Sequence, residues 1–464
     1  MPDIANLVAG RWVPPSGGGR LVTVDPADDT PLLDTATSDA AEVDRAIAAA
    51  AAAAAPWAAT PAAARAAVLR RWAAAVDADR DRLAELQRAE TGRPTASGLG
   101  AVDAAVSTIE ELARLAVVHR GRSLNGDAST IDEIRHVPRG VAAVILPWND
   151  PVPILAQGVA ANLGVGNAVV AKPSERATAC GVAMVQLLVG CGLPVGAVNL
   201  VVGGSATGAA VAGHGGVDVV LATGSVRMGR AVAAACAARG AKAVLELGGK
   251  DALVVGGDVD VAWAAGQAAL GSFANMGQIC TSVERIYVAE SLHDDFVAAL
   301  AKEADAWERA PLVDRAHRAA VHAHVVDAVE RGATVVTGGA VPDGPGAWYP
   351  PTVLTEVAED ALVLGDETFG PVAPVGRVAD AGEGLRRAAA SPFGLAATVL
   401  TADMAVALAA AQLPVGTVKV NAVFGGAPGG SADPHGISGQ GVGYGPELLD
   451  ELTRRRVLHW QPPG

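Results

Sequence analysis

Five short apolar runs between residues 141 and 247 constrain the fold of this chain more than any other feature. They are Val141 to Leu146, Ala168 to Lys172, Val198 to Val202, Val217 to Ala222 and Ala243 to Leu247. Alanine-rich stretches of helical character separate these runs, and Gly and Pro mark the joins. Apolar runs of this length are typical of strands buried on both faces, so the pattern predicts βα units on a parallel sheet. This is the outline of a nucleotide-binding domain.

A second βα series follows Cys280, so the sequence predicts a second α/β domain. Its predicted strands and helices are Arg285 to Val288, Leu292 to Trp307, Ala316 to Arg331, Thr334 to Val336 and Thr398 to Leu400. A chain of 464 residues is too long for one ordinary core and is expected to form two or three domains.

Three other segments have a different pattern. Residues 1 to 37 are rich in Pro and Gly and predict short strands or extended arms, followed by three helices between Ser38 and Glu90. Residues 120 to 138 are polar with alternating apolar positions, which predicts an exposed hairpin. The chain from Gly439 onward is rich in Gly and then charged, with a short helix around Leu448.

Charge and composition exclude several classes of protein. The formal net charge is −14, which argues against nucleic acid or an anionic membrane as a partner, because both attract basic patches. The unbroken alanine run Ala48 to Ala55 is far too short to span a bilayer. The N-terminus, Met1 to Ile4, lacks the basic and apolar regions of a signal peptide, so a cytoplasmic location is expected.

No metal site is expected from the sequence. The four cysteines are widely scattered and form no C-x-x-C motif, which supports neither a disulfide framework nor a zinc knuckle. His317, His322 and His324 lie in a predicted helix, but their spacings of five and two do not place all three on one face.

A candidate base and a candidate nucleophile lie 34 residues apart. Glu246 closes a predicted strand, and the Gly pair in the following Leu247-Gly248-Gly249-Lys250 allows a sharp turn or close approach to a ligand. Cys280 ends the sequence Gly277-Gln278-Ile279-Cys280. A catalytic thiol needs an electropositive or base-containing environment, because its ordinary pKa of about 8.5 leaves little thiolate at neutral pH. The alternatives are a buried small hydrophobic residue for Cys280 and a solvated strand-end charge for Glu246.

Candidate cofactor residues follow other strand ends. Lys172 closes a predicted strand before the turn Pro173-Ser174-Glu175, where a Lys is well placed for a ribose or phosphate. Gly203 to Gly208 has the glycine spacing of a P-loop, but Ala209-Ala210 stand where Lys-Ser/Thr is required, so NTP hydrolysis is excluded. The helices that begin near Gly203 to Gly208 and after Thr223-Gly224-Ser225 offer free N–H groups to a pyrophosphate. The alternative for each is an ordinary turn.

Asn149 is a candidate oxyanion donor. It follows Pro147-Trp148 at the end of a predicted strand, and a side-chain N–H in such a place can stabilise a developing oxyanion. The alternative for an Asn before Asp150-Pro151 is a turn residue.

Five motifs in this order resemble the signature set of the aldehyde dehydrogenase superfamily. They are Pro147-Trp148-Asn149, Lys172-Pro173-Ser174-Glu175, Glu246-Leu247-Gly248-Gly249-Lys250, Gly277-Gln278-Ile279-Cys280 and Glu367-Thr368-Phe369-Gly370-Pro371-Val372, within a resemblance that runs from about Trp12 to the C-terminal segment. The resemblance implies an α/β fold with a discontinuous Rossmann-like NAD(P)-binding domain (1–119 and 139–247), a second α/β catalytic domain (248–437) and a small β oligomerisation arm (120–138 and 438–464). It also implies a homodimer or homotetramer that assembles through strand pairing.

The resemblance assigns catalytic roles to Cys280, Glu246 and Asn149. It implies that the Cys280 thiolate attacks an aldehyde carbon, that Asn149 and the backbone N–H of Cys280 stabilise the oxyanion, that hydride passes to NAD(P)+, and that Glu246 activates water to hydrolyse the thioester. Glu246 also favours release of a free carboxylic acid over acylation of coenzyme A.

The same resemblance assigns the cofactor contacts. The implied residues are Pro147, Trp148, Lys172, Ser174, Glu175, Gly204, Gly208, Thr223, Gly224, Ser225, Leu247, Gly248, Glu367 and Phe369. An acidic side chain at Glu175 would repel a 2′-phosphate, so the expected cofactor is NAD rather than NADP.

The chain departs from the family pattern in three places. The usual Gly/Pro-rich loop after the helix ending near Trp307 is missing, since Glu308 to Pro311 lead almost directly into the next helix. The usual C-terminal P-F-G-G-x-K-x-S-G-x-G-R-E pattern is reduced to the segment Ser431 to Val442, which lacks its Phe, Lys and Arg. Asp150 stands where many relatives carry an aromatic residue, and with Gln157 it predicts a wider or more polar substrate tunnel.

Two other functions stay open at this point. A catalytically inactive NAD-binding or scaffold protein is suggested by the altered C-terminal motif and the missing loop, although the presence of Cys280, Glu246 and Asn149 argues against it. A thioesterase or esterase activity of Cys280 would need no NAD, so cofactor dependence separates it from aldehyde oxidation.

Overall fold

A computed structural model describes residues 1–426 and 430–463. The described residues form two large sheets, one of eight strands and one of seven, and three small antiparallel sheets. Helices cover the large sheets, so the architecture is the α/β fold that the sequence predicts.

The N-terminal part contains four short strands, four helices and two further strands that form a small sheet with a strand from near the C-terminus. Its elements are β1 (Asn6–Val8), β2 (Arg11–Val13), β3 (Arg20–Val24), β4 (Pro31–Ala36), α1 (Ala40–Ala59), α2 (Ala62–Ala78), α3 (Arg80–Thr91), α4 (Thr95–Val118), β5 (Arg122–Ser123) and β6 (Ile131–Pro138). A capping box fixes the start of α1, because the Asp39 carboxylate accepts from the Glu42 N–H and the Glu42 carboxylate accepts from the Asp39 N–H. The three predicted helices are present, but the sequence analysis missed α4.

The first large sheet contains all five predicted apolar strands, with ends that differ from the prediction by at most two residues. Its elements are β7 (Val141–Ile145), α5 (Pro151–Val165), β8 (Ala168–Lys172), α6 (Thr178–Val189), β9 (Val198–Leu200), α7 (Ser205–Gly213), β10 (Val219–Thr223), α8 (Val226–Ala237) and β11 (Lys242–Glu246). The strand order is β2-β1-β9-β8-β7-β10-β11-β21, in which β21 (Gly439–Gln440) comes from near the C-terminus. The strands from β7 to β11 pair in parallel.

Both faces of this sheet are covered, as the continuous apolar runs predict. In β7, Ala142 and Val144 belong to a core with α2, α4, α5 and α6. Val141, Ala143 and Ile145 belong to a second core with α1, α7 and α8. The chain order reverses between β7 and β10, so the carboxyl ends of these strands flank the crevice where α/β sheets bind ligands.

The second large sheet follows directly after the Glu246 to Lys250 motif, which therefore connects the two sheets. Its elements are β12 (Asp251–Val255), α9 (Val261–Phe273), β13 (Val283–Ala289), α10 (His293–Ala306), α11 (Arg315–Glu330), β14 (Thr334–Thr337), β15 (Thr352–Thr355), α12 (Leu362–Gly365), β16 (Val372–Val378), α13 (Ala381–Ala389), β17 (Phe393–Gly394), β18 (Ala396–Leu400), α14 (Met404–Ala410) and β19 (Thr417–Val420). The order is β14-β15-β16-β13-β12-β18-β19, and every neighbouring pair except β14–β15 is parallel. The sequence analysis missed β12, β15 and β16.

The C-terminal segment returns to pair with the middle of the chain. Its remaining elements are β20 (His435–Gly436), α15 (Leu448–Glu451) and β22 (Thr453–Trp460). β22 runs antiparallel to β6, from Thr453 opposite Pro138 to Trp460 opposite Ile131, and β5 pairs with the other edge of β6. This small sheet joins the two segments predicted to form an arm, while the arm's role in oligomerisation and the domain boundaries stay predictions.

None of the described helices is both long enough and apolar enough to cross a membrane by itself. The pair α1 and α2 is long and apolar enough when the two helices are taken together, but the chain bends by 118° between them.

Candidate active site

The register of the first sheet brings several predicted site residues to one edge. Thr223 pairs with Glu246 at the ends of β10 and β11, and Ile145 pairs with Lys172 at the ends of β7 and β8. Pro147, Trp148 and Asn149 follow β7 immediately. Because the carboxyl ends of parallel strands meet at the same edge, these residues border one crevice.

Glu246 has a half-buried side chain whose Oε1 atom is fully shielded and has no hydrogen-bond partner among the described residues. Burial is the main cause that raises the pKa of Glu246 to about 8; the backbone N–H of Gly443 opposes this shift and the charge of Asp433 adds to it. A β-carbon at position 443 would overlap this carboxylate, so the close passage of the chain requires Gly. The N–H of Leu247 donates to the Ser438 carbonyl at 2.9 Å, which fixes the C-terminal segment to the end of β11. Glu246 is therefore not a solvated strand-end charge.

Cys280 follows a turn of unusual backbone conformation. Asn275, Met276 and Gly277 have φ angles of 48°, 54° and 70° in the 3-10 helix before it. A β-carbon at Gly277 would overlap the carbonyl of Gly370, so only Gly fits there. Left-handed conformations cost non-glycine residues about 1–2 kcal/mol each, and such strain is concentrated at functional sites. The turn leaves the Cys280 side chain half-buried.

Carboxylates surround the thiol of Cys280. Burial is the largest cause that raises the pKa of this thiol to about 12, and further contributions come from the carboxylates of Asp251, Glu246, Glu367 and Asp150. Lys419 on β19 interacts through its charge with Asp251 and with the thiol, while burial lowers the pKa of the Lys419 ammonium. The sequence analysis expected a catalytic thiol to have either an electropositive or a base-containing environment, and the structure shows the base-containing one.

Asn149 is held against the turn that carries the thiol. Its side-chain Nδ2 donates to the Gln278 carbonyl at 3.1 Å, and its backbone carbonyl accepts from Nδ2 of Asn275 at 3.3 Å. The buried side chain of Gln278 accepts from the Val313 N–H at 2.9 Å, which fixes the turn from the other side. Asn149 and Cys280 are therefore brought together, and Gln278 is a positioning contact that the sequence analysis named only as part of a motif.

Lys172 and Glu175 form an ion pair at the end of β8, with 3.2 Å between Nζ and Oε2. Burial lowers the pKa of the Lys172 ammonium, and the Glu175 charge opposes this shift. The hydroxyl of Ser174 accepts from the Arg176 N–H at 3.2 Å, which shapes the turn. A β-carbon at Gly208 would lie 3.9 Å from Cδ of Lys172, so the first turns of α7 face the lysine stem.

Two helix N-termini open toward the same edge. α7 begins after Gly204, and α8 begins after Ser225, whose hydroxyl accepts from the Met228 N–H at 3.2 Å. The Gly224 N–H donates to the Glu246 carbonyl at 3.0 Å, which ties the start of α8 to the end of β11. N–H groups of the first helical turn have no partner within the helix, and they attract anions such as phosphate.

Glu367 and Phe369 lie on a loop from the second sheet that reaches the same crevice. Oε1 of Glu367 accepts from the Gly249 N–H at 3.1 Å, and the carboxylate lies directly against Gly248. Burial is the main cause that raises the pKa of Glu367 to about 8. Phe369 adopts a φ of 53°, and its ring meets that of Trp148 edge-on at 5.4 Å.

Trp148 is enclosed by aromatic and cationic groups. His317 contacts it edge-on at 5.4 Å, and a ring nitrogen of His317 lies 2.7 Å from the Phe369 carbonyl. The Arg176 guanidinium lies 5.5 Å from the Trp148 ring centre and pairs with Asp314 at 2.7 Å. These contacts fix the position of the indole.

A buried ion pair that the sequence analysis did not consider supports the Glu367 to Phe369 loop. Nζ of Lys250 lies 2.6 Å from Oε2 of Glu284 and 3.1 Å from the Thr368 hydroxyl. The two oxygens of Glu284 accept from the N–H groups of Thr368 and Phe369, each at 2.8 Å. The available signal for Glu284 was a pair of adjacent charged residues, Glu284 and Arg285, at the start of the buried strand β13.

A sizeable surface cavity lies away from the crevice that contains Cys280. A surface cavity of about 600 Å³ is lined by Ala27, Arg309, Trp348 and Tyr349, among others, and includes none of the predicted catalytic residues. Nothing in that lining combines a nucleophile with a base, so the chemistry of the strand-end crevice decides the assignment.

The chain was compared with known proteins, and residues 12–458 match the aldehyde dehydrogenase family. The 3,6-anhydro-alpha-L-galactose dehydrogenase of Streptomyces coelicolor is 35% identical, over 98% of this chain and 96% of the relative. The structure of lactaldehyde dehydrogenase from Escherichia coli superposes with a TM-score of 0.96 and 31% identity, over 99% of both chains. PnpE in complex with nicotinamide adenine dinucleotide superposes with a TM-score of 0.96 and 30% identity, over 99% of this chain and 98% of PnpE.

These likenesses extend over essentially the whole chain, and the predicted fold class is confirmed. The cofactor of such enzymes is NAD or NADP. Together with the crevice between the two sheets, they show that this chain is an NAD(P)-dependent aldehyde dehydrogenase and a member of the aldehyde dehydrogenase family.

Proposed function

We propose that this enzyme converts its aldehyde to the free carboxylic acid through a thioester on Cys280. The observation that carries the proposal is the convergence of three groups at one turn. The Asn149 side chain donates to the carbonyl of Gln278, two residues before Cys280, and the carboxylate of Glu246 is among the charges that raise the pKa of the thiol. A nucleophile, an oxyanion donor and a base are the groups that acyl chemistry at a thiol requires.

In the first half of the proposed reaction, the thiol of Cys280 gives up its proton and its sulfur bonds to the aldehyde carbon. This proton passes to solvent, so the ionised Glu246 carboxylate stays available as the base of the second half. The free amide N–H of Asn149 and the backbone N–H of Cys280 donate to the oxyanion. A bound nicotinamide dinucleotide would accept the hydride that leaves the tetrahedral carbon as the thioester carbonyl forms.

In the second half, Glu246 takes a proton from water as the water attacks the thioester carbon. The C–S bond breaks, the acid leaves, and the Cys280 sulfur regains a proton. The partly desolvated carboxylate suits this role, since its raised pKa makes it a stronger base than an ordinary glutamate. A base at this position supports hydrolysis rather than transfer to coenzyme A.

The residues of the crevice fit a dinucleotide. The Lys172–Glu175 pair suits a ribose, the N-termini of α7 and α8 suit the pyrophosphate, and Glu367 with Phe369 suits the second ribose and its ring. The carboxylate of Glu175 disfavours a 2′-phosphate beside it, so we propose NAD as the preferred cofactor.

Polar groups near the thiol support a small, hydroxylated aldehyde as the substrate. Asp150 acts on the Cys280 thiol and pairs with Arg93, while Gln157 donates to the Gly443 carbonyl beside Glu246. Carboxylate and amide groups of this kind can hydrogen-bond substrate hydroxyls, which an apolar chain does not offer. Two of the similar proteins are named for hydroxylated aldehydes, 3,6-anhydrogalactose and lactaldehyde.

We also propose that the enzyme is a cytoplasmic homodimer or homotetramer. The small sheet supports assembly, because β22 is an edge strand whose Val457 and Trp460 side chains are 67% and 50% exposed. Exposed apolar residues on an edge strand favour pairing with another chain.

The test is NADH or NADPH formation at 340 nm with matched aldehydes that differ in their hydroxyl and carboxylate groups. Lactaldehyde, glyceraldehyde, propanal, benzaldehyde and succinic semialdehyde form the panel, each with NAD+ and NADP+. We expect turnover with NAD+, higher kcat/KM for lactaldehyde than for propanal, and loss of turnover in Cys280→Ala. Cys236→Ala is the matched control, since Cys236 is a buried residue of α8 outside the crevice. Binding of NAD+ without turnover of any aldehyde would instead favour an inactive scaffold, and ester cleavage without NAD+ would favour an esterase.

A further inference from the structure

Two histidines and an aspartate converge where the small sheet meets the body of the protein. His119 follows α4, His136 lies on β6, and Asp450 lies in α15 just before β22. One ligand atom from each of the three lies within 4.8 Å of the other two. Nε2 of His119 is 2.8 Å from Oδ1 of Asp450, and Nδ1 of His136 is 3.7 Å from the same oxygen.

This spacing fits a tetrahedral metal ion. Zinc binds histidine nitrogen and carboxylate oxygen at roughly 2.0–2.2 Å, so neighbouring ligand atoms in a tetrahedral site lie roughly 3.3 Å apart. The two measured separations bracket this value.

The surroundings preorganise the two imidazoles and leave one side open. The side chains of His119 and His136 are 14% and 11% exposed, and their ring centres lie 4.4 Å apart. The Thr453 hydroxyl lies 3.0 Å from Nδ1 of His136, and a metal ion bound at this nitrogen would take the place of that contact. Asp450 is 43% exposed, so water can supply a fourth ligand.

The nearby charges permit a cation at this place. Arg455 opposes a cation, but its guanidinium lies 3.8 Å from Oδ2 of Asp450, while both histidines face Oδ1. The simpler interpretation is a hydrogen bond between His119 and Asp450 and another between His136 and Thr453, and it does not explain why both imidazoles lie near Oδ1 of Asp450.

We propose that His119, His136 and Asp450 form a binding site for Zn²⁺ or a similar divalent transition-metal ion, separate from the catalytic crevice. The three ligands come from α4, β6 and the helix before β22, so a bound ion ties both segments of the small sheet to the body of the enzyme. Metal binding then stabilises the folded state, because it is linked to the placement of all three elements.

The experiment is calorimetric titration of ZnCl₂ into the full chain, in a Cys280→Ala background so that the catalytic thiol cannot bind the metal. We expect one saturable site per chain and a higher melting temperature with Zn²⁺. His119→Ala and, separately, Asp450→Asn are expected to weaken binding by more than about tenfold. His459→Ala is the matched control, because His459 forms a similar pair with Asp132 at 2.6 Å, and this pair lies outside the described three-residue cluster.

The melting temperature of each metal-free variant shows whether it is folded. Loss of Zn²⁺ binding in folded His119→Ala or Asp450→Asn, with binding retained in His459→Ala, supports the site. Absence of saturable binding to the parent chain, or equal binding by all three variants, overturns it. If His119→Ala fails to fold, Asp450→Asn alone decides, because it replaces an exposed carboxylate with a side chain of the same shape.

Discussion

The desolvation of Glu246 predicts a specific pH dependence of the enzyme. The pKa of this carboxyl is raised to about 8, so only about one molecule in ten carries the base in its ionised form at pH 7. If hydrolysis of the thioester limits turnover, kcat should rise nearly tenfold from pH 7 to pH 8.5 and then level off. The value of kcat rises with pH because only the ionised Glu246 carboxylate can take a proton from water.

Two substitutions separate this account from a general effect of pH. Glu246→Gln should slow steady-state turnover by about 10²- to 10⁴-fold, the usual contribution of a general base, and remove the rise near pH 8. Asp433→Asn should shift that rise to lower pH, because the Asp433 charge contributes to the raised pKa of Glu246. The assay is steady-state NADH formation with saturating aldehyde and NAD+ between pH 6 and pH 10. A Glu246→Gln enzyme that keeps both its rate and its rise near pH 8 would refute the reasoning.

Three further predictions concern other parts of the molecule. Glu175→Ala should raise the ratio of kcat/KM with NADP+ to that with NAD+ by about tenfold, since it removes a charge that repels a 2′-phosphate; an unchanged ratio would contradict the contact. Glu284→Gln leaves the Lys250 ammonium buried and unpaired, so the free energy of unfolding in urea should fall by roughly 3–5 kcal/mol. The double variant with Lys250→Met should recover part of this loss. Independent, additive losses from the two substitutions would argue against the ion pair. If the proposed oligomer forms through β22, Val457→Asp on its exposed face should convert that oligomer to smaller species in light scattering, whereas unchanged mass would exclude this strand from the interface.

The five parallel strands of the first sheet could be predicted because each is buried on both faces along most of its length. Residues such as Val141 and Ala142 belong to opposite cores, so no polar position interrupts the apolar run that marks the strand. The carboxyl ends of those runs then locate Lys172, Thr223 and Glu246 at one edge without further information. The missed strand β12 has the same apolar pattern and follows the Glu246 to Lys250 motif directly.

The electrostatics of the site could not be read from the sequence, since they depend on residues far apart in the chain. Asp150, Asp251 and Glu367 raise the pKa of the Cys280 thiol, although each lies at least 29 residues from it in sequence. Lys419 reaches the same place from the edge strand of the second sheet. Only the three-dimensional structure shows that these carboxylates lie near the Cys280 thiol.

The histidines illustrate the same limit. The sequence analysis looked for metal ligands among His317, His322 and His324, which are close in the chain. In the structure their ring nitrogens lie near three different groups, the Phe369 carbonyl, the Tyr349 hydroxyl and the Thr368 hydroxyl. The proposed metal ligands His119, His136 and Asp450 are brought together by strand pairing, which spacing in the sequence does not reveal.

The central claim, covalent catalysis by Cys280, is tested most directly by trapping the thioester. Glu246→Gln, mixed with lactaldehyde and NAD+ and quenched in acid within seconds, should show by intact-protein mass spectrometry the mass of one acyl group per chain. Peptide mapping should place that mass on Cys280, together with about one NADH formed per site. An acyl group on another residue, or NADH formation at the same rate by Cys280→Ala, would contradict the account.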